Sequence, residues 1–127
     1  MQKIKTILAV DNEPQVIRLI ESYLSQNKKG LIVKGFTDPV LALEDFQEHF
    51  AEYEAIILAM KMQEMTGFEF VRRIKAIKAQ VRAFLITSFE IRKSEFDKVF
   101  PSIKVDGFIQ KPISIQGLDG LLDRTSF

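Results

Sequence analysis

Glu54-Ala55-Ile56-Ile57-Leu58-Ala59-Met60-Lys61-Met62 is the stretch whose reading decides the fold. Ile56 to Met60 is apolar without polar alternation, the pattern of a strand buried on both faces of a parallel sheet. The loop Gln63-Glu64-Met65-Thr66-Gly67 follows, and then an amphipathic helical pattern. In an open α/β sheet, ligands and chemistry collect just past the carboxyl ends of the central strands. Here that end is Ala59, a side chain with no chemistry to offer.

Upstream, Lys5 to Val10 reads as a first strand running into the polar cluster Asp11-Asn12-Glu13. Pro14 opens a helix, as proline does at a first turn, with Val16, Ile17, Leu19, Ile20, Tyr23 and Leu24 as its apolar stripe. Gln26 to Gly30 ends it. Leu31 to Phe36 is a second strand, interrupted by Lys34 and Gly35 and so placed at the sheet edge. Asp38-Pro39 pairs a cap with proline at the first helical position, and the helix runs to about Phe50.

Downstream, Thr66 caps a helix that turns Phe68, Phe70, Val71, Ile74 and Ile77 inward. Val81 to Thr87 is a fourth, almost continuously apolar strand. Ser88 to Phe100 is a weaker helix, diluted by charge and ended by Pro101. Val105 to Gln110 is a short fifth strand, broken by Lys111-Pro112. Ser114 caps a last helix carrying Ile115, Leu118, Leu121 and Leu122. Gly117 and Gly120 inside it each cost up to about 1 kcal/mol against alanine, so fraying is expected there.

Five strands alternating with five helices over short loops imply βαβ crossovers and a doubly wound α/β sheet. At this length the flavodoxin-like strand order 2-1-3-4-5 is the natural choice, with helices on both faces. That order sets the ends of the first and third strands side by side, so the Asp11 cluster and Ala59 should share one pocket. The 127 residues suit a single domain spanning 1–127, with no output domain.

The totals remove several functions. No apolar run approaches the roughly 20 residues of a membrane span, and the amino terminus leads straight into a strand, without a signal peptide. With no cysteine there is no disulfide, thiolate metal site or redox couple, which fits the cytoplasm. A net charge of +1 argues against nucleic-acid binding by bulk charge. The lone His49 cannot build a histidine metal site or a Ser-His-Asp arrangement, and near a helix end a solvated or capping role suits it.

No glycine pattern matches a phosphate-cradling G-x-G-x-x-G or G-x-x-x-x-G-K loop, so nucleotide readings are weak. The polar residues left at strand ends are Asp11, Asn12 and Glu13, Thr87 with Ser88, and Lys111 before Pro112. An acidic cluster, a hydroxyl and an ammonium converging from three strand ends describe a Mg²⁺ and phosphoryl site in origin. Each alone would read as turn and cap chemistry; together they do not.

These stretches carry a resemblance to response-regulator receiver domains of the CheY-like type. Ile7-Leu8-Ala9-Val10-Asp11-Asn12-Glu13-Pro14 looks like the family's opening strand and acidic turn. Ile57 to Phe68 resembles its phosphoacceptor loop, Leu85-Ile86-Thr87-Ser88 its fourth strand with the switch hydroxyl, and Gly107-Phe108-Ile109-Gln110-Lys111-Pro112 its fifth strand, switch aromatic and Lys-Pro step. The resemblance implies a signalling module of a two-component or phosphorelay system, with Thr87, Phe108 and Lys111 as phosphoryl and switch positions.

The departures matter more. By the same resemblance the phosphoacceptor aspartate falls at Ala59, the principal metal carboxylate at Asn12, and a usual loop proline at Gln63. A methyl group cannot attack phosphorus, so no catalytic residue is intact and no enzymatic activity is expected. Of the implied metal ligands, only the Asp11 carboxylate, the Asn12 amide oxygen and the Lys61 backbone carbonyl remain. Mg²⁺ binding should therefore be weak or absent, and Lys111, lacking a partner at Ala59, is free to turn to Asp11.

The first reading is thus a pseudo-receiver working through protein contacts with a histidine kinase or a downstream effector. A second is a phosphorylatable receiver engineered at Ala59. A third is a small flavodoxin-like enzyme or ligand binder, which lacks a phosphate loop and a strand-end nucleophile. Arg72, Arg73, Lys75 and Lys78 give one helix a basic side that reads as solvated. Phe89, Ile91, Phe96, Val99 and Phe100, where exposed beside Phe108, would favour a partner or a homodimer through the 88–126 face. Met60, Met62 and Met65 read as core filling around the pocket.

Overall fold

Apolar β-rich runs alternate with amphipathic helical ones, and among the described residues each run forms the element its period dictates. The computed structural model describes residues 5–27, 30–88, 98 and 104–125. In order these form β1 (Lys5–Val10), α1 (Pro14–Asn27), β2 (Leu31–Phe36), α2 (Pro39–His49), a 3₁₀ turn (Phe50–Glu52), β3 (Tyr53–Ala59), α3 (Gly67–Ile77), β4 (Arg82–Thr87), β5 (Gly107–Gln110) and α4 (Ile115–Thr125). The five strands are parallel in the order β2-β1-β3-β4-β5, the flavodoxin-like arrangement. The helix expected over Ser88 to Phe100 lies, Ser88 and Lys98 apart, outside the described residues, and with it Phe89, Ile91, Phe96, Val99 and Phe100 of the 88–126 face.

Each sheet face buries one apolar layer. Leu8, Val10, Ile56, Leu58 and Leu85 meet Leu43 and Phe46 of α2 and Phe70, Val71 and Ile74 of α3. On the other face Ile7, Ala9, Ile57 and Ile86 meet Ile17, Ile20 and Leu24 of α1 and Leu118 of α4. Two-sided burial of β3, where Ala55 to Leu58 are fully buried, is why its sequence lacks alternation.

The caps are those the residue types dictate. Asp38 accepts the Val40 N–H at 2.9 Å, Thr66 the Glu69 N–H at 3.2 Å, and Ser114 the Gly117 N–H at 3.0 Å. His49 sits in the last turn of α2 with its Nδ1 3.2 Å from the Asp45 carbonyl, a helix-end role.

Three details differ from the sequence reading. β5 begins at Gly107 and not Val105, because Asp106 pairs with β4 partly through its side chain: its carboxylate accepts the Ala83 N–H at 2.7 Å while its own N–H donates to the Ala83 carbonyl at 2.8 Å. Gly35 lies on the edge strand for a packing reason, since a Cβ there would collide with Ile17 Cγ2 of α1. On the basic side of α3, Arg72 and Arg73 are exposed, as a solvated face requires, whereas Lys75 and Lys78 are half-buried. Arg72 and Arg73 both pair with Glu69 at 3.2 and 3.1 Å, and Lys78 Nζ donates to the carbonyls of Phe50 at 3.1 Å and Tyr53 at 2.6 Å.

Tyr53 anchors the lower end of β3. It is fully buried, stacks on Phe46 with ring centroids 5.5 Å apart, and donates its hydroxyl to the Asp45 carboxylate. Burial, then the Asp45 hydrogen bond and charge, push its pKa far above the ordinary phenol value of 10.0. A phenol whose pKa is raised in the folded state stabilises fully below about pH 10, and that contribution is lost as pH climbs above it. We therefore expect wild-type stability to fall more steeply than that of Tyr53→Phe above pH 10, by up to about 1.4 kcal/mol per pH unit. Urea midpoints of the two proteins at pH 9 and 11 measure this; parallel losses would rule it out.

Candidate functional site

Strand register builds the site. Val10 pairs with Leu58 and Ala59 with Ile86, so Asp11, one step beyond Val10, comes level with Ala59. Thr87 pairs with Gln110, and the Lys111 N–H donates to the Thr87 carbonyl at 2.7 Å, bringing the Lys111-Pro112 step, a cis peptide, to the same end. Ala59, Met60, Lys61, Ile86, Thr87, Ser88 and Lys111 line a cavity of about 50 Å³. That is room for one or two waters.

Asp11 is 2% exposed, so its carboxylate must find partners inside the protein. Its Oδ1 accepts the Glu13 N–H at 2.9 Å, while Oδ2 accepts no hydrogen bond and has Lys111 Nζ 3.3 Å away. Lys111 also holds Glu13 Oε1 at 3.1 Å, so one ammonium stands between two carboxylates. Burial works to lower the lysine's pKa, but the carboxylates of Glu13 and Asp11 more than reverse this and leave it raised. Glu13 thus turns to Lys111.

The other expected residues divide. Thr87 is buried at the cavity, with Ala59 only 3% exposed beside it and Lys61 exposed at its rim. Phe108 is half-buried against the core layer of α2 and α3 and does not line the cavity. Asn12 departs furthest from its expected role. Its amide oxygen, assigned to a metal by resemblance, accepts the Gln63 N–H at 2.8 Å, and its NH₂ donates to Thr37 and Glu64.

This donor set does not suit magnesium. Mg²⁺ demands near-octahedral oxygen coordination, whereas the Asn12 amide oxygen already accepts the Gln63 N–H and Asp11 Oδ2 has a lysine ammonium against it. Among the described residues no group of three His, Asp or Glu side chains gathers in a way that could hold a metal. What the arrangement can do is hold three loops together around a small cavity at the strand ends. Glu64, Thr37 and Gln63 are the participants that sequence reasoning missed; their contacts with Asn12 span 25 to 52 residues, and no local pattern encodes them.

The sheet order and the strand-end residues define a doubly wound α/β domain of the flavodoxin-like class. The family model for the response regulator receiver domain matches residues 7–123, and the chain belongs to that family. It is a receiver domain of the two-component type. Among solved structures, the chemotaxis protein CheY4 of Vibrio cholerae is 26% identical with a TM-score of 0.80, over 96% of this chain and 98% of that one. A second structure of CheY4 gives 25% identity and 0.81, over 97% and 99%. A receiver domain protein from Clostridium thermocellum shares the fold at 21% identity and a TM-score of 0.78, over 96% and 94%. No curated protein sequence matches. Among the described residues no helix is long and apolar enough to cross a membrane.

Proposed function

We propose that this chain is a receiver that does not take phosphate and signals through protein contacts. The end of β3 carries the reading: Ala59 stands where the surrounding motif resembles the family's phosphoacceptor loop, and a methyl group is no nucleophile. Two further observations support it. Asn12, at the position of the principal metal carboxylate, is committed to hydrogen bonds, and Lys111, the cation a phosphoryl group would need, is committed to Asp11 and Glu13.

On this reading the chain is not an enzyme, magnesium plays little or no part, and the domain works in the cytoplasm. Its partners are signalling proteins, a histidine kinase or a downstream effector. Any movement of Thr87 and Phe108 between states is then drawn by a partner's differential affinity for the two, because no phosphoryl group is there to draw it.

Incubation with acetyl phosphate and Mg²⁺, followed by intact mass and amide chemical shifts, tests this. The expected result is no added mass and no shift at Thr87, Phe108 or Lys111. A phosphoryl adduct on any aspartate would refute the proposal. Ala59→Asp alone is expected to leave phosphate acceptance weak, and Ala59→Asp with Asn12→Asp to recover it.

A further inference from the structure

Asn12 is engaged at both ends of its amide. Its Oδ1 accepts the backbone N–H of Gln63 at 2.8 Å. Its Nδ2 donates to the Thr37 carbonyl at 2.8 Å and to Glu64 Oε1 at 3.1 Å. Chemistry sets the orientation of the amide. A carbonyl and a carboxylate accept and a backbone N–H donates, so a flipped amide would face like against like at all three contacts. One side chain from the β1–α1 turn therefore joins the β2–α2 turn to the β3–α3 loop.

The residue type is specific to that task. An aspartate at this position would keep the Gln63 contact, lose both donors, and set a second carboxylate against Glu64. Like charges at such range repel, and bound water only partly relieves them. An asparagine satisfies all three partners and adds no charge to a strand end where Asp11 and Glu13 already share Lys111.

We propose that Asn12 is a latch: with Glu64 as its counterpart, it fastens the β3–α3 loop to the strand ends by hydrogen bonds, so that the loop holds one conformation without a divalent ion. The surface presented by Gln63 and Glu64 is then the same whatever the magnesium concentration. This inference rests on the Asn12 contacts and not on Ala59, so it can fail or stand separately from the phosphate reading, which mass measurement decides.

Hydrogen exchange at the Gln63 amide and thermal melting, both on the whole chain, test it. In the wild type, millimolar Mg²⁺ should change neither the Gln63 exchange rate nor Tm. Asn12→Ala should speed exchange at Gln63 by about tenfold, the loss of a latch made of modest hydrogen bonds. Asn12→Asp should lower Tm in metal-free buffer, and adding Glu64→Gln should recover most of that loss, because an amide there donates to the new carboxylate. Unchanged Gln63 exchange in Asn12→Ala, independent effects at positions 12 and 64, or slowing of wild-type exchange by Mg²⁺ would each overturn the latch.

Discussion

Lys111→Met is expected to cost the fold about 2–4 kcal/mol, because it strands a buried carboxylate. Methionine keeps much of the aliphatic length, so the loss is one of charge more than of packing. Asp11 is 2% exposed, and the Glu13 N–H serves only its Oδ1. Oδ2 accepts no hydrogen bond, and Lys111 Nζ at 3.3 Å is the cation that balances it. Removing one member of a buried pair leaves the other's desolvation uncompensated, which is why the effect exceeds that of a surface ion pair by severalfold. The lysine is itself 24% exposed and lets some water reach the pair, which argues for the lower half of the range. Urea unfolding measures it as a lowered midpoint at unchanged slope, and Asp11→Asn in the same chain should restore part of the loss. A cost below about 1 kcal/mol would place the pair with ordinary surface salt bridges. The raised pKa of Lys111 adds a pH signature. The stability it contributes is fully present below about pH 10.5 and is lost as pH rises through the lysine's higher folded-state value.

Gly67→Ala sets two effects of opposite sign against each other. Alanine is the better helix former by about 1 kcal/mol in a helix interior, which would stabilise α3. A Cβ at this position, however, would stand 2.5 Å from the Ala59 carbonyl oxygen and 3.0 Å from both Met60 Cα and Leu85 Cδ2. Two of those atoms are backbone at the end of β3, so the helix must move as a body. Movement also strains the hydrogen bond from the Gly67 N–H to the Met60 carbonyl at 2.9 Å. Overpacking of this kind costs about 1–3 kcal/mol, more than propensity returns at a first helical position, so the net expectation is a loss of about 2 kcal/mol. Thermal melting decides it, and a Tm at or above that of the wild type would show that α3 can shift freely. Because Gly67 begins α3 against the strand end that carries Ala59, the same change should also disturb the cavity beside Thr87.

Much of the architecture follows from local rules. The unbroken apolar run of β3, the alternation of strand and helix patterns, and the proline and cap residues at Pro14, Asp38, Thr66 and Ser114 specify the elements. Connection length and handedness then leave one natural sheet order, the one observed. That order places Asp11, Ala59, Thr87 and Lys111 together at one end of the sheet, and the residue types present state what chemistry that end lacks.

Local rules do not choose among long-range partners. Whether Glu13 points to a metal or to Lys111, whether Asn12 offers its oxygen to an ion or to Gln63, and why Gly35 has no side chain depend on loops brought together from across the chain. The same holds for Asp106, which pairs with β4 partly through its carboxylate, and for Lys78, which reaches back to the carbonyls before β3. A period in the sequence reports which face of an element is buried, since burial repeats with the turn of the helix or the pleat of the strand. A hydrogen bond between loops has no period: it exists only where the packed sheet and helices set the two groups within about 3 Å of each other.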